Sequence, residues 1–128
     1  MRKPSIRVLL IAAKSLVSSS LQQRLERRQC RCWSVPSAQE GLELFRRHKF
    51  QVIVTTDSVS ELMPILPGLA GSNCTVFSAV PVENGCWWLP VMRAGDKCFG
   101  APAIRSSDFP RVLDETIDGL QTALPGLL

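Results

Sequence analysis

The chain has 128 residues, 45% of them hydrophobic and 20% charged, and carries a net charge of +4. That length suits one domain built on a single layered core, and no apolar run reaches the ~20 residues of a membrane helix. Five cysteines without a CxxC pair signal neither a disulfide framework nor a zinc site.

Behind Met1-Arg2-Lys3-Pro4, the first apolar run, Ile6-Arg7-Val8-Leu9-Leu10-Ile11, has the length of a strand buried on both faces. It is too short for a secretion signal, so the expected compartment is the cytoplasm. Ser15 is positioned to cap a helix over 16–29, where Val17, Leu21 and Leu25 recur every four residues. Residues 30–35 alternate as a short strand, with Cys30 and Cys32 on one face as small buried hydrophobes. Pro36 ends it, and Ser37 with Glu40 three residues on forms a capping-box pattern for a helix over 38–48. Ala38, Leu42 and Phe45 are its apolar stripe.

Residues 50–56 are apolar and β-branched, and predict a third strand. A helix is expected within 58–69, shortened or kinked by Pro64 and Pro67. Residues 74–79 predict a fourth strand. In 80–104, Pro81, Asn84-Gly85 and Pro90 break any long helix. There, strands at 86–89 and 97–99 forming a β-hairpin fit as well as a bent helix plus strand. Ser106-Ser107-Asp108 cap a last helix with Phe109, Val112, Leu113, Ile117 and Leu120 on one stripe. The strict alternation of helix and strand predicts βαβ crossovers and a mainly parallel sheet, with functional loops beyond the strand C-termini.

In that order the chain resembles the receiver domain of two-component response regulators, over residues 6–120. The resemblance implies a three-layer α/β/α, flavodoxin-like fold with a five-stranded, mainly parallel sheet, and the turn residues of 80–104 put a β-hairpin or bent helix where the family has its fourth helix. It implies a phosphoacceptor aspartate after the third strand, two magnesium-binding acids after the first, a Ser/Thr after the fourth and Lys-Pro after the fifth. At those positions stand Thr56 (with Asp57 one residue later), Ala12-Ala13, Ser78 and Ala101-Pro102. Lys97 lies four residues before Ala101, and Phe99 falls near the family's switch aromatic. Phosphoryl transfer to a carboxylate needs a divalent cation and a lysine to offset developing charge. Two alanines cannot ligate magnesium, and a one-residue slip along a strand turns Asp57 to the other face.

The expectation is therefore a non-catalytic pseudo-receiver, without metal or cofactor, that acts through protein contacts. The fourth-helix to fifth-helix region is the family's usual output face, and here it holds Trp87, Trp88, Leu89 and Phe99. Adjacent strand residues point to opposite faces, so one tryptophan of the pair can be exposed. The expected partner is another signalling protein or a second copy, with no membrane contact. Nucleic acid is disfavoured because Arg24, Arg27, Arg28 and Arg31, and Arg46, Arg47, His48 and Lys49, gather at helix C-termini, where the macrodipole favours cations. Two alternatives remain open. One is an atypical receiver phosphorylated at Asp57. The other is a small-molecule or nucleic-acid binder using the vacated cleft or the basic helix ends. His48 is read as a surface residue at a helix end. Ser18-Ser19-Ser20 lacks a nucleophile-elbow context, and no GxGxxG or P-loop is present.

Overall fold

The computed structural model describes residues 6–11, 16–56, 74–82, 85–93, 96–98 and 101–123. Its elements are β1 (Arg7–Ile11), α1 (Leu16–Arg27), β2 (Arg31–Val35), α2 (Ala38–Arg47) and β3 (Val52–Thr55). They continue with β4 (Thr75–Val82), β5 (Gly85–Arg93), β6 (Asp96–Lys97), β7 (Ile104–Arg105) and α3 (Phe109–Ala123). The helix expected within 58–69, Phe99 and the C-terminal tail fall outside the described residues.

The fold is α/β, with a mixed sheet and three helices among the described residues. Strand order is β2-β1-β3-β4-β5-β6, and β7 also pairs with β5. From β2 to β4 every pairing is parallel, whereas all three pairings of β5 are antiparallel. Among the described residues the sheet thus has seven strands rather than the five expected. The extra ones arise because the stretch after β4 folds back on the sheet edge instead of crossing over it.

β1 alternates its side chains between two cores. Val8 and Leu10 join Leu21, Leu25, Phe109, Leu113 and Ile117, so α1 and α3 cover one face. Leu9 and Ile11 join Ala38, Ile53 and Val76, so α2 covers the other. Its approach is close: a Cβ on Gly41 would lie 2.8 Å from Ile11 Cδ1.

Helix ends follow local chemistry. The Ser37 Oγ accepts the Glu40 N–H at 3.3 Å, as the capping pattern predicts. α1 stops at Arg27, short of the expected 29, through a Schellman closure. The Cys30 N–H reaches the Leu25 carbonyl and the Gln29 N–H the Glu26 carbonyl, both at 3.0 Å. Gln29 occupies the left-handed position with φ 64. Cys30 and Leu25 share a core cluster, supplying the apolar contact of the motif. Cys30 thus lies just before β2 rather than within it.

The β4–β5 hairpin is the largest departure from the sequence reading. β4 runs to Val82 rather than 79 and pairs with β5 from Val82↔Gly85 down to Val76↔Met92. The register shifts between Val76 and Phe77, opposite Pro90, which has no N–H to offer a ladder. Where a hairpin of strands at 86–89 and 97–99 was expected, β5 pairs with the two-residue β6 through Met92↔Lys97 and Arg93↔Asp96.

A left-handed conformation costs a side-chain-bearing residue about 1–2 kcal/mol, and glycine escapes that cost. Gln29→Gly is therefore expected to raise stability by about 1 kcal/mol. Urea unfolding of the two proteins measures it, and an unchanged or lower midpoint contradicts the closure.

Candidate functional site

The parallel strands bring one set of predicted residues into a row. Ile11 of β1 stands opposite Thr55 of β3, Thr55 opposite Ser78 of β4, and Ser78 opposite Leu89 of β5. Ile53 and Val76 fix the parity: Thr55 and Ser78 lie on the α2 face. Both hydroxyl residues are fully buried, and both are engaged in interactions. Thr56 comes next, exposed, with its N–H donating to the Ile11 carbonyl at 2.9 Å. Thr56 therefore extends the β1–β3 ladder by one residue. Ala12, Ala13 and Asp57 fall outside the described residues.

Ser78 was expected at a strand end and instead sits inside β4, because Ala79–Val82 find partners in β5. Ala101 and Pro102 were expected at the end of a fifth parallel strand. They precede β7 instead, and β5 separates β7 from β4. Antiparallel β5 occupies the position beside β4, so Ala101 and Pro102 are not neighbours of Ser78 in the sheet. Lys97 pairs with Met92, which is opposite Val76, and so lies toward the other end of the strands. Among the described residues of the predicted site, Ser78 has as its neighbour Thr55, a buried residue that strand-end matching did not single out, whereas exposed Thr56 follows it and faces the other way.

The tryptophan pair divides as strand alternation predicts. Trp88 is 2% exposed and stacks on Phe109 of α3, ring centroids 4.2 Å apart and planes 9° from parallel. Trp88 is therefore core rather than interface. Trp87 is 39% exposed, and the Arg105 guanidinium lies 5.7 Å from its ring centroid. Leu89 is half-buried on the same side of β5. Arg105 could not be tied to Trp87 from sequence, because their contact depends on the β5–β7 register.

Two further groupings join residues distant in sequence. Arg24 makes a two-pronged ion pair with Asp114, Nη2 to Oδ2 at 2.6 Å and Nε to Oδ1 at 3.2 Å. Arg28 pairs with Asp118, and the Gln121 amide donates to the Arg28 carbonyl at 3.4 Å. These contacts clasp α1 to α3. The Asp114 carboxylate, chiefly through its hydrogen bond, raises the pKa of Arg24 further. On the other face, His48 ends α2 by donating its backbone N–H to the Leu44 carbonyl. The His48 ring stacks on Trp33 at 5.4 Å, beside Phe50. It is half-buried within an aromatic cluster, not the plain surface residue expected.

Among the described residues no cluster of three His, Cys, Asp or Glu side chains could hold a metal ion, and no helix is long and apolar enough to cross a membrane. No family model, curated protein or solved structure matches the chain.

Burial pushes the Cys30 thiol up to about 11, and the Cys32 and Cys74 thiols up to about 12, with Cys30 adding to the shift at Cys32. These thiols stay protonated, and so poorly nucleophilic, at neutral pH. An aromatic disulfide reagent at pH 8 is expected to label buried Cys30 and Cys74 only after denaturation, mapped by peptide mass; fast labelling of either in the folded protein would refute its burial. The sign of the linkage follows from the raised values. Stability from these groups is intact below the ordinary thiol value of 9.0 and declines as pH rises from there toward about 12.

Proposed function

We propose that the chain is a receiver-like signalling module that acts through protein contacts and without magnesium-dependent aspartyl phosphorylation. The order β2-β1-β3-β4 corresponds to the first four positions of the flavodoxin-like order 2-1-3-4-5. Helices on both faces agree with that fold. The antiparallel β5 in the fifth position is a departure that removes the family's fourth crossover. In this reading the module is cytoplasmic.

The observation that carries the reading is the row Ile11, Thr55, Ser78 and Leu89. It lies one residue before Ala12 on β1 and before Thr56 on β3, the positions matched to the receiver's acids and acceptor, and it is made of two aliphatic side chains and two buried hydroxyls. Ala12, Ala13 and Ala101 contribute neither carboxylate nor ammonium to the matching sequence positions. Electrostatic stabilisation is the largest source of rate in such transfers, so a module lacking it serves better as a binding surface. Trp87 under Arg105 supports a contact role, because an aromatic with an adjacent arginine is typical of interface anchors. The partner is another signalling protein or a second copy of the chain.

Incubation with acetyl phosphate and magnesium is expected to leave the intact mass and oligomeric state unchanged. A magnesium-dependent, acid-labile phosphoryl group on Asp57 would refute the first half of the proposal. For the second half, Trp87→Ala is expected to weaken self-association, or capture of a cognate signalling protein, by at least about tenfold, with the unfolding midpoint retained. Undiminished association in that variant would remove Trp87 from the contact.

A further inference from the structure

We infer that the end of the molecule formed by the starts of β1 and β2 and the ends of α1 and α2 is a surface for a nucleic-acid backbone. This inference does not rest on the signalling reading, since it concerns a different set of residues.

The topology gathers cations that are far apart in sequence. β1 and β2 are parallel and in register, with Arg7 directly opposite Arg31. The Arg31 N–H donates to the Ile6 carbonyl, and Gln51 grips Arg7 from the other side through both its N–H and its side-chain oxygen. Lys49 lies two residues before Gln51. α2 delivers Arg46 and Arg47 in its last turn, and the His48–Trp33 stack holds that turn over β2. α1 ends on the other face of the sheet with Arg27. Arg27, Arg31, Arg46, Arg47 and Lys49 are exposed and Arg7 is half-buried.

Three observations argue against reading this as ordinary dipole complement. First, the basic residues at this end fall into two groups. Arg24 and Arg28 are neutralised by Asp114 and Asp118 of α3, whereas Arg7, Arg27, Arg31, Arg46, Arg47 and Lys49 form no ion pair with an acid among the described residues. Second, α3 has no basic residue in its last turn, although Gln121 places that turn beside the end of α1. Among the described helices, basic last turns are thus found at α1 and α2 and not at α3. Third, the dipole does not account for Arg7 and Arg31, which belong to strands. Like charges directly opposite on neighbouring strands, about 4.8 Å apart, are destabilising. A position held against a stability cost is where a binding role is expected.

The arrangement fits a phosphate backbone better than a single anion or an acidic protein. The cations lie at the sheet end and at the ends of helices on both of its faces, so they are spread over one end of the molecule rather than gathered at one point. A nucleic-acid strand carries a charge about every 3.4 Å and meets several of them at once. Five of the six are arginines, whose planar forks match phosphate oxygens. The half-buried Trp33 and His48 rings interleave with them, the basic-plus-aromatic pattern of strand-binding surfaces. The set is argued from phosphate contacts alone, so the expected binding is independent of sequence.

The test uses the full chain and a fluorescently labelled oligonucleotide of mixed sequence, followed by anisotropy. Binding is expected at about 50 mM salt and is expected to weaken about a hundredfold by about 200 mM, as for roughly four phosphate contacts. The double variant Arg31→Gln/Arg47→Gln is expected to bind at least about tenfold more weakly and to lower the salt slope by about 2. Its urea midpoint is expected to hold or rise, because the Arg7–Arg31 repulsion is relieved. Arg111→Gln, on the exposed face of α3 beside Glu115, is expected to bind as the parent does. Absence of binding at about 50 mM salt, or equal binding by the double variant, overturns the inference. So does tighter binding to polyglutamate or to phosphatidylserine vesicles than to the oligonucleotide at the same salt. The first result would reassign the surface to an acidic protein and the second to a lipid headgroup.

Discussion

The antiparallel return of the chain after β4 is the constraint on which the rest of the arrangement depends. Had β4 stopped at Ser78, the next segment could have crossed over the sheet and delivered a fifth parallel strand. Instead Ala79–Val82 stay in the ladder, and Gly85–Arg93 run back beside them. The position next to β4 is thereby taken. Ala101 and Pro102 are left ahead of β7, and the last helix must start from the far side of β5. Trp88 closes the arrangement by stacking face to face on Phe109, the first residue of that helix. A buried aromatic pair of this kind contributes about 0.5–1.5 kcal/mol beyond its burial, and here it also sets where α3 begins.

The same return decides what the sheet shows to solvent. A strand covered on one face and open on the other must alternate, and the pair Trp87-Trp88 spans that alternation in two residues. One indole becomes core and the other becomes surface. Arg105 then lies over the exposed ring because β7 pairs Arg105 with Trp87. The register shift opposite Pro90 carries Met92 to the α2-side core, where it packs with Val76.

Charge in this molecule is sorted by whether an acid is within reach. The α1–α3 clasp has four partners from two helices, with the Arg28 Nε buried 3.6 Å from Asp114 Oδ1. Exposed pairs of this sort contribute little to stability, about 0–1 kcal/mol each. The two apolar clusters, not the ion pairs, hold the fold together. The cations of the basic end around Arg7 and Arg31, by contrast, form no ion pair with an acid among the described residues. Exposed Trp87 and the basic end lie on different strands.

Local structure was written in the sequence wherever a period or a cap carried it. The apolar strands β1 and β3, the Ser37 cap of α2 and the stripe of Phe109, Leu113 and Ile117 were legible because each depends on residues within a few positions of one another. The exposure of one tryptophan out of two was legible for the same reason. At the candidate site, the sequence determined which residues are chemically inert: Ala12, Ala13 and Ala101 have no carboxylate or ammonium in any fold. What tertiary structure decided was adjacency. Pro81, Asn84-Gly85 and Pro90 announced a break but not its direction, since a hairpin and a crossover begin with the same turn residues. The placement of Ser78 inside a strand, the Thr55–Ser78 neighbours, the Arg105–Trp87 contact and the facing pair Arg7–Arg31 all follow from pairing and register. Those are set by which strands bury their faces together, over separations that no local pattern encodes.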